Sequence, residues 1–283
     1  MLSSSTDTTV PHPDLTVQLR EDPAGSADFN MAADEEMFLR LEPGCPTLAV
    51  RFYYWDRPSI SIGRFQDPGK VLDAAKIRSD RIGFVRRMTG GRSVFHPEGP
   101  EGLTCSFALS SSAITPFGKR SAFLFLHGLF IETLAGFGIA SRITEHGVRR
   151  GPAGLRADCF DSASEFELVS DSEPAVKLMG SAQFADQKGI LQQTSIPLGP
   201  GLDRLSAYEL RPHAGPHPAS PLYGLDPARL TAEFFAVVRR ILGPERIRPS
   251  DPDAALIRRL CLTRYGLPDW NEHRNETQGA FPQ

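Results

Sequence analysis

Four stretches of the chain place apolar residues at helical spacing. In "DFNMAADEEMFLRLE", Met31, Met37, Phe38 and Leu41 recur among acidic residues behind Asp28, a candidate N-cap. "SAFLFLHGLFIETLAGFG" sets Phe123, Phe130, Leu134 and Phe137 after Ser121, with Gly136 or Gly138 as the stop. "DPARLTAEFFAVVRRILG" puts Asp226 and Pro227 at a helix start and Gly243 at its end. "DPDAALIRRLCLTRYG" repeats that grammar from Asp251-Pro252 to Gly266. Between the helices, alternating or β-branched runs predict strands: "TLAVRFYYW", "SISIG", "GFVRRM", "RSVFH", "LTCSFAL", "EFELV", "AVKLMGSAQ" and "ILQQTSIPL". Strand runs broken by a few helices predict a mixed α/β (α+β) sheet rather than regular βαβ alternation.

Residues 1–15 read as a flexible lead-in, 16–275 as one domain whose 226–275 part is helical, and 276–283 as a tail. "RPHAGPHPASPLYG" reads as a long connecting loop. With 283 residues, 40% hydrophobic and 23% charged, the chain has the make-up of an ordinary globular protein with a sizeable core. A net charge of −3 argues against a general nucleic-acid or membrane-surface binder. The N-terminus lacks the apolar run of a signal peptide, and no stretch approaches a membrane span. Cys45, Cys105, Cys159 and Cys261 are scattered without metal-ligand spacing, which favours a reduced, cytoplasmic setting. A monomer is the expected state.

The chemistry concentrates in "VRRMTGGRSVFHPEG", between two predicted strands. Paired glycines at Gly90 and Gly91, after Thr89, permit positive φ and close backbone approach to a ligand. Arg86, Arg87 and Arg92 have the chemistry to anchor an anion. The Gly-Lys-Ser/Thr ending of a P-loop is absent. On these residues alone, a hairpin turn with exposed arginines competes equally with a binding loop.

"RRMTGGRSVFH" resembles the signature of the lipoate-protein ligase, octanoyltransferase and biotin-ligase superfamily, and arginine after the glycine pair is similar to its octanoyltransferases. Three further stretches match in order: "NMAADEEMF", "VKLMGSAQFADQKGILQQTSI" and "RYGLPDWN", the last resembling the end of the Gram-positive-type octanoyltransferases. The resemblance runs from about residue 28 to 275. It implies the biotin/lipoate-protein ligase catalytic-domain fold and transfer of an octanoyl group from octanoyl-acyl-carrier protein to a lysine of an apo lipoyl domain, such as the glycine-cleavage H protein. No cofactor or metal is implied.

The resemblance also assigns roles. Cys159, in "RADCFDSASEFELV", is the nucleophile, since a thiolate converts one hard transfer into two easier ones. Lys177 is the lysine that activates the thiol and relays its proton. The loop residues Arg86, Arg87, Thr89, Gly90, Gly91 and Arg92 bind substrate, together with His96 and with Gly180, Ser181, Ala182 and Gln183 of the lysine motif. Cys105 stands where the family usually has tyrosine and is a secondary candidate; its spacing with Leu103, Phe107 and Leu109 marks a core position. Three positions depart from the pattern: Pro97 where aspartate is common, and Gln193 and Thr194 where His-Gly is usual. Two other readings stand beside the transferase. One is an ATP-dependent lipoate or octanoate ligase in which Lys177 contacts an acyl-adenylate. The other is a non-catalytic homologue that binds lipoyl domains.

Overall fold

Alternation along "TLAVRFY" decides the layering. Leu48, Val50 and Phe52 join one buried cluster, while Ala49 and Tyr53 join others on the opposite side of the strand. The computed structural model describes residues 9–144, 166–212 and 217–274. Its strands are β1 (Val10–Pro11), β2 (Thr16–Glu21), β3 (Thr47–Tyr53), β4 (Ser59–Ile62), β5 (Gly83–Arg86), β6 (Val94–His96) and β7 (Thr104–Ser110). They continue with β8 (Ile114–Thr115), β9 (Ser141–Ile143), β10 (Leu168–Ser170), β11 (Gly180–Ala185), β12 (Gly189–Ser195) and β13 (Ile247–Arg248). The helices are α1 (Ala27–Leu39), α2 (Ala74–Ser79), α3 (Lys119–Ala135), α4 (Pro227–Leu242), α5 (Ala254–Leu260) and α6 (Pro268–His273).

Six strands form the main sheet in the order β11-β12-β7-β3-β2-β13. Neighbours among the first four are antiparallel; β2 runs parallel to β3, and β13 parallel to β2. The sheet is therefore mixed, as the pattern predicts. α3 and α4 cover one face, where Phe107, Phe130 and Phe234 meet in the main core. α1 covers the other, packing Met37 and Phe38 on Ala49, Ala108 and Leu191. A second sheet, β5-β4-β6, stands beside α1.

The helix ends refine the sequence reading. α4 follows it closely: Asp226 accepts the Ala228 amide, Pro227 opens the helix, and Gly243 closes it at φ +96. α1 starts two residues early, with Ser26 at the cap and its hydroxyl on Asp28. α3 starts after Gly118 rather than Ser121. α5 is capped by Asp253, which accepts two amides, and the chain continues through a π-turn over residues 261–265. The flexible lead-in is corrected over its described part: Val10–Pro11 pairs with β8, and Leu15 is buried in the main core. Strand β2 follows at once; its polar alternation, "TVQLRE", hid it. Among the described residues no helix is long and apolar enough to cross a membrane.

Candidate functional site

The twin-glycine loop is shaped by Arg87. Its guanidinium donates to the carbonyl and hydroxyl of Ser61 at 2.9 and 2.8 Å, and to the carbonyls of Gly90 and Arg92 at 2.9 Å each. A planar five-donor fork suits four acceptors on two segments; a point-charge ammonium would not. Gly91 takes φ +87, which only glycine adopts cheaply. Beneath it runs Gly63, where a Cβ would overlap the Gly91 carbonyl. Two backbone bonds, Arg87 N to Ile62 O and Arg64 N to Thr89 O, both 2.8 Å, sew the loop to the end of β4. The sequence reading passed over Gly63; "SISIGRF" carries no signal beyond the glycine itself.

Arg86 has a different place from the one expected. Its side chain is buried and turns away from the glycines, donating to the carbonyls of Gly63, Arg64, Gln66, Trp270, Asn271 and Glu272. Its amide donates to Asn271 Oδ1, and Trp270 Nε1 donates to its carbonyl, both at 2.9 Å. Burial, with Arg274 second, pulls the guanidinium down to about 10. Arg86 thus ties the "RYGLPDWN" stretch to the loop instead of facing a ligand. That stretch also reaches α1: Arg264 and Tyr265 both bind the buried Glu35.

A narrow cleft, with a cavity volume of ≈ 20 Å³, lies between this loop and the β11–β12 hairpin. Met31, Tyr53, Trp55 and Val94 give it apolar walls, and Arg87, His96, Gly180, Ala182 and Gln193 also line it. The floor is polar and saturated. Asp34 of α1 accepts Arg51 at 2.8 Å, Tyr53 at 2.8 Å, Ser106 at 2.8 Å and Gln193 at 2.7 Å. Gln193 in turn accepts the Thr89 hydroxyl at 2.7 Å. The residue standing where histidine is usual therefore bridges the floor to the loop.

His96 stacks on Trp55, with centroids 3.9 Å apart, and Ser61 Oγ lies 2.7 Å from its Nε2. That hydroxyl also accepts from Arg87, and with two lone pairs and one proton it can pair with either neutral tautomer of the ring. Nδ1 is buried, with no hydrogen-bond partner among the described residues. Burial, with the charge of Arg87 second, holds His96 well below the usual histidine range, so the ring is neutral.

β11 divides the remaining expected residues between two faces. Gly180 and Ala182 face the cleft. Ser181 and Gln183 point to the α3 side, where Ser181 Oγ meets His127 Nε2 and Thr194 Oγ1 at 3.0 Å each, and Gln183 donates to Gln192. Lys177 precedes β11 by three residues and stands outside the cleft lining; its Nζ is 2.8 Å from Glu167, both side chains being nearly buried. Arg92 is half-buried beside the loop. Cys159 lies outside the described residues. Cys105 is buried in the main core, where burial, with Asp34 second, pushes its thiol well above the usual range; that removes it as a thiolate.

The family model "Lipoyl protein ligase A/B catalytic domain" matches residues 26–231. An octanoyltransferase LipM of Brevibacillus brevis is 35% identical over 277 residues, covering 89% of this chain and 96% of that protein. Another from Kyrpidia tusciae is 37% identical over 178 residues, or 62% of this chain and 63% of its own length. Among solved structures, a bipartite lipoate protein ligase from Thermoplasma acidophilum, studied with its E2 lipoyl domain, superposes at a TM-score of 0.70. It is 20% identical, covering 92% of this chain and 97% of that one. A lipoate-protein ligase A bound with ATP gives 0.72 at 21% identity, covering 91% and 98%. These two fix the fold as that of lipoate-protein ligase catalytic domains. The chain belongs to the lipoyl protein ligase A/B catalytic-domain family.

Proposed function

We propose that this chain transfers an octanoyl group from octanoyl-acyl-carrier protein to a lysine of an apo lipoyl domain, by way of a thioester on Cys159. The similarity along nearly the whole length of the Brevibacillus octanoyltransferase carries the reading. The cleft supports it. Its walls are apolar, so a straight acyl chain that parted them would gain about 0.8 kcal/mol per methylene without any charged contact.

In the first half-reaction the Cys159 thiolate attacks the carbonyl carbon of the carrier's thioester. The C–S bond to pantetheine breaks, and the departing sulfur takes a proton from the Lys177 ammonium. In the second, the acceptor lysine amine attacks the Cys159 thioester, loses a proton to Lys177, and expels the thiolate. Thioester exchange is nearly isoenergetic and the amide lies downhill, so no nucleotide is consumed. In the tautomer that carries the proton on Nδ1, which is buried with no acceptor among the described residues, the neutral His96 ring suits the acyl carbonyl oxygen. Arg87, Gly63 and Gly91 keep the loop in its shape. The protein works in the cytoplasm as a monomer.

The test supplies octanoyl-acyl-carrier protein and apo H protein with ATP omitted, and records the mass of the H protein. Octanoylated acceptor is expected. Modification only from free octanoate or lipoate with ATP would instead establish a ligase, and binding without modification under either condition a non-catalytic partner.

A further inference from the structure

Lys177 owes its place to two residues that the motifs do not name. Glu167 meets its Nζ at 2.8 Å, with both side chains 7% exposed. The backbone that carries Glu167 is clamped. Its amide donates to Thr144 Oγ1 at 3.0 Å, and its carbonyl accepts the Thr144 amide at 2.9 Å. The residue before it, Phe166, sits at φ +67, a left-handed conformation that a bulky side chain adopts only when its surroundings impose it.

His127 of α3 meets the carbonyl of Phe166, with Nδ1 2.9 Å from its oxygen. A carbonyl only accepts, so the proton is on Nδ1, and Nε2 accepts from the Ser181 hydroxyl. Ser181 in turn accepts from Thr194. The ring is buried, and burial, with the charge of Lys177 adding to it, lowers the imidazole to about 4. His127 is therefore neutral, with both nitrogens engaged, and has no proton to trade near neutral pH. Its Nδ1 contact bears on Glu167 through the Phe166 carbonyl. Glu167 and His127 are two titratable groups that face Lys177.

We propose that Glu167 is the positioning residue of Lys177, and that His127 acts through it by holding Phe166 in the turn that presents the Glu167 carboxylate to the ammonium. The proposal rests on the reading of Lys177 as the proton-carrying group of the transfer. A carboxylate in contact with the amine fixes its direction, and a displacement of about 1 Å at such a group costs on the order of 10²-fold in rate.

The test measures kcat and KM for octanoyl transfer, with thermal unfolding recorded in parallel, for wild type, Glu167→Gln, Glu167→Asp, His127→Phe, His127→Asn and the double variant Glu167→Gln/His127→Phe. Glu167→Gln is expected to lose roughly 10²-fold in kcat with KM little changed, because the amine loses the carboxylate that directs it. His127→Phe is expected to lose kcat in the same direction, His127→Asn to recover most of it through an amide donor placed like Nδ1, and the double variant to be no slower than Glu167→Gln alone. A folded Glu167→Gln enzyme with the wild-type kcat, or additive losses in the double variant, would overturn the proposal. Should Glu167→Gln fail to fold, Glu167→Asp carries the same test, since a shorter carboxylate loses the 2.8 Å contact; an undiminished kcat there overturns it equally. Wild type that transfers no octanoyl at all would count against the function itself, whereas active wild type with unaffected variants would count against this positioning alone.

Discussion

The Thr89 hydroxyl donates to Gln193 Oε1 at 2.7 Å, joining the twin-glycine loop to a strand more than a hundred residues later. Gln193 passes the connection to α1 by donating to Asp34 at 2.7 Å. Both ends of this amide are buried, so neither partner has water to turn to. Gln193→Ala is therefore expected to destabilise the protein by about 2 kcal/mol, the cost of leaving buried polar groups unpaired. A urea titration measures it. Octanoyl transfer should fall with it as the loop loosens, and a midpoint equal to wild type would contradict the bridge.

Gly63 and Gly91 touch backbone to backbone, so neither can yield by rotating a side chain. Gly63→Ala is expected to displace the loop and reduce octanoyl transfer by on the order of 10²-fold. Gly69→Ala, where an added Cβ meets ordinary van der Waals contact only, should leave the rate near wild type. Equal rates for the two variants would contradict the close approach.

Arg86 offers a prediction of the opposite kind. It holds carbonyls from two distant segments and lines no part of the cleft. Arg86→Met should cost about 3 kcal/mol or more, since charge-assisted bonds in the interior are lost together. The 264–274 stretch should then become susceptible to limited proteolysis. A substrate-binding role would instead raise KM at unchanged stability.

Acid should weaken the fold through His127. Its folded value of about 4 lies below the unfolded value near 6.5, so the unfolded chain binds the extra proton. Stability is then present in full above about pH 6.5 and falls as pH drops towards 4, by up to about 3 kcal/mol. His96, lowered in the same direction by burial, adds to the slope. In His127→Asn, thermal unfolding followed between pH 7 and pH 4 should flatten by the share due to His127; an unchanged slope would contradict the assignment.

The turn at the glycine pair and the strands on either side of it were legible because their signals are local: residue type, spacing and order. α4 was legible for the same reason, since Asp226-Pro227 and Gly243 mark its ends without help from the rest of the chain. α1 misled in one respect. Its acids, Asp34, Glu35 and Glu36, look like a solvent face, yet all three are buried because the helix is held between the main sheet and α5. Their partners, Arg51, Arg264 and Arg20, come from separate segments that composition does not connect. Arg86 misled likewise, because backbone carbonyls, its true partners, leave no mark in a sequence. Glu167 and His127 were hidden twice over, one being a strand acid and the other a histidine within an apolar helix stripe. Only the fold brings them to Lys177.

Cys105 and Cys159 set the most direct test. Cys105 sits in a dry core with its thiol pushed up, so Cys105→Ala should keep octanoyl transfer while losing some stability. Intact mass after incubation with octanoyl-acyl-carrier protein, without ATP, should show one octanoyl adduct, removable by hydroxylamine, on wild type and on Cys105→Ala and none on Cys159→Ala. An adduct that persists in Cys159→Ala, or undiminished transfer by that variant, would contradict the Cys159 acyl-enzyme.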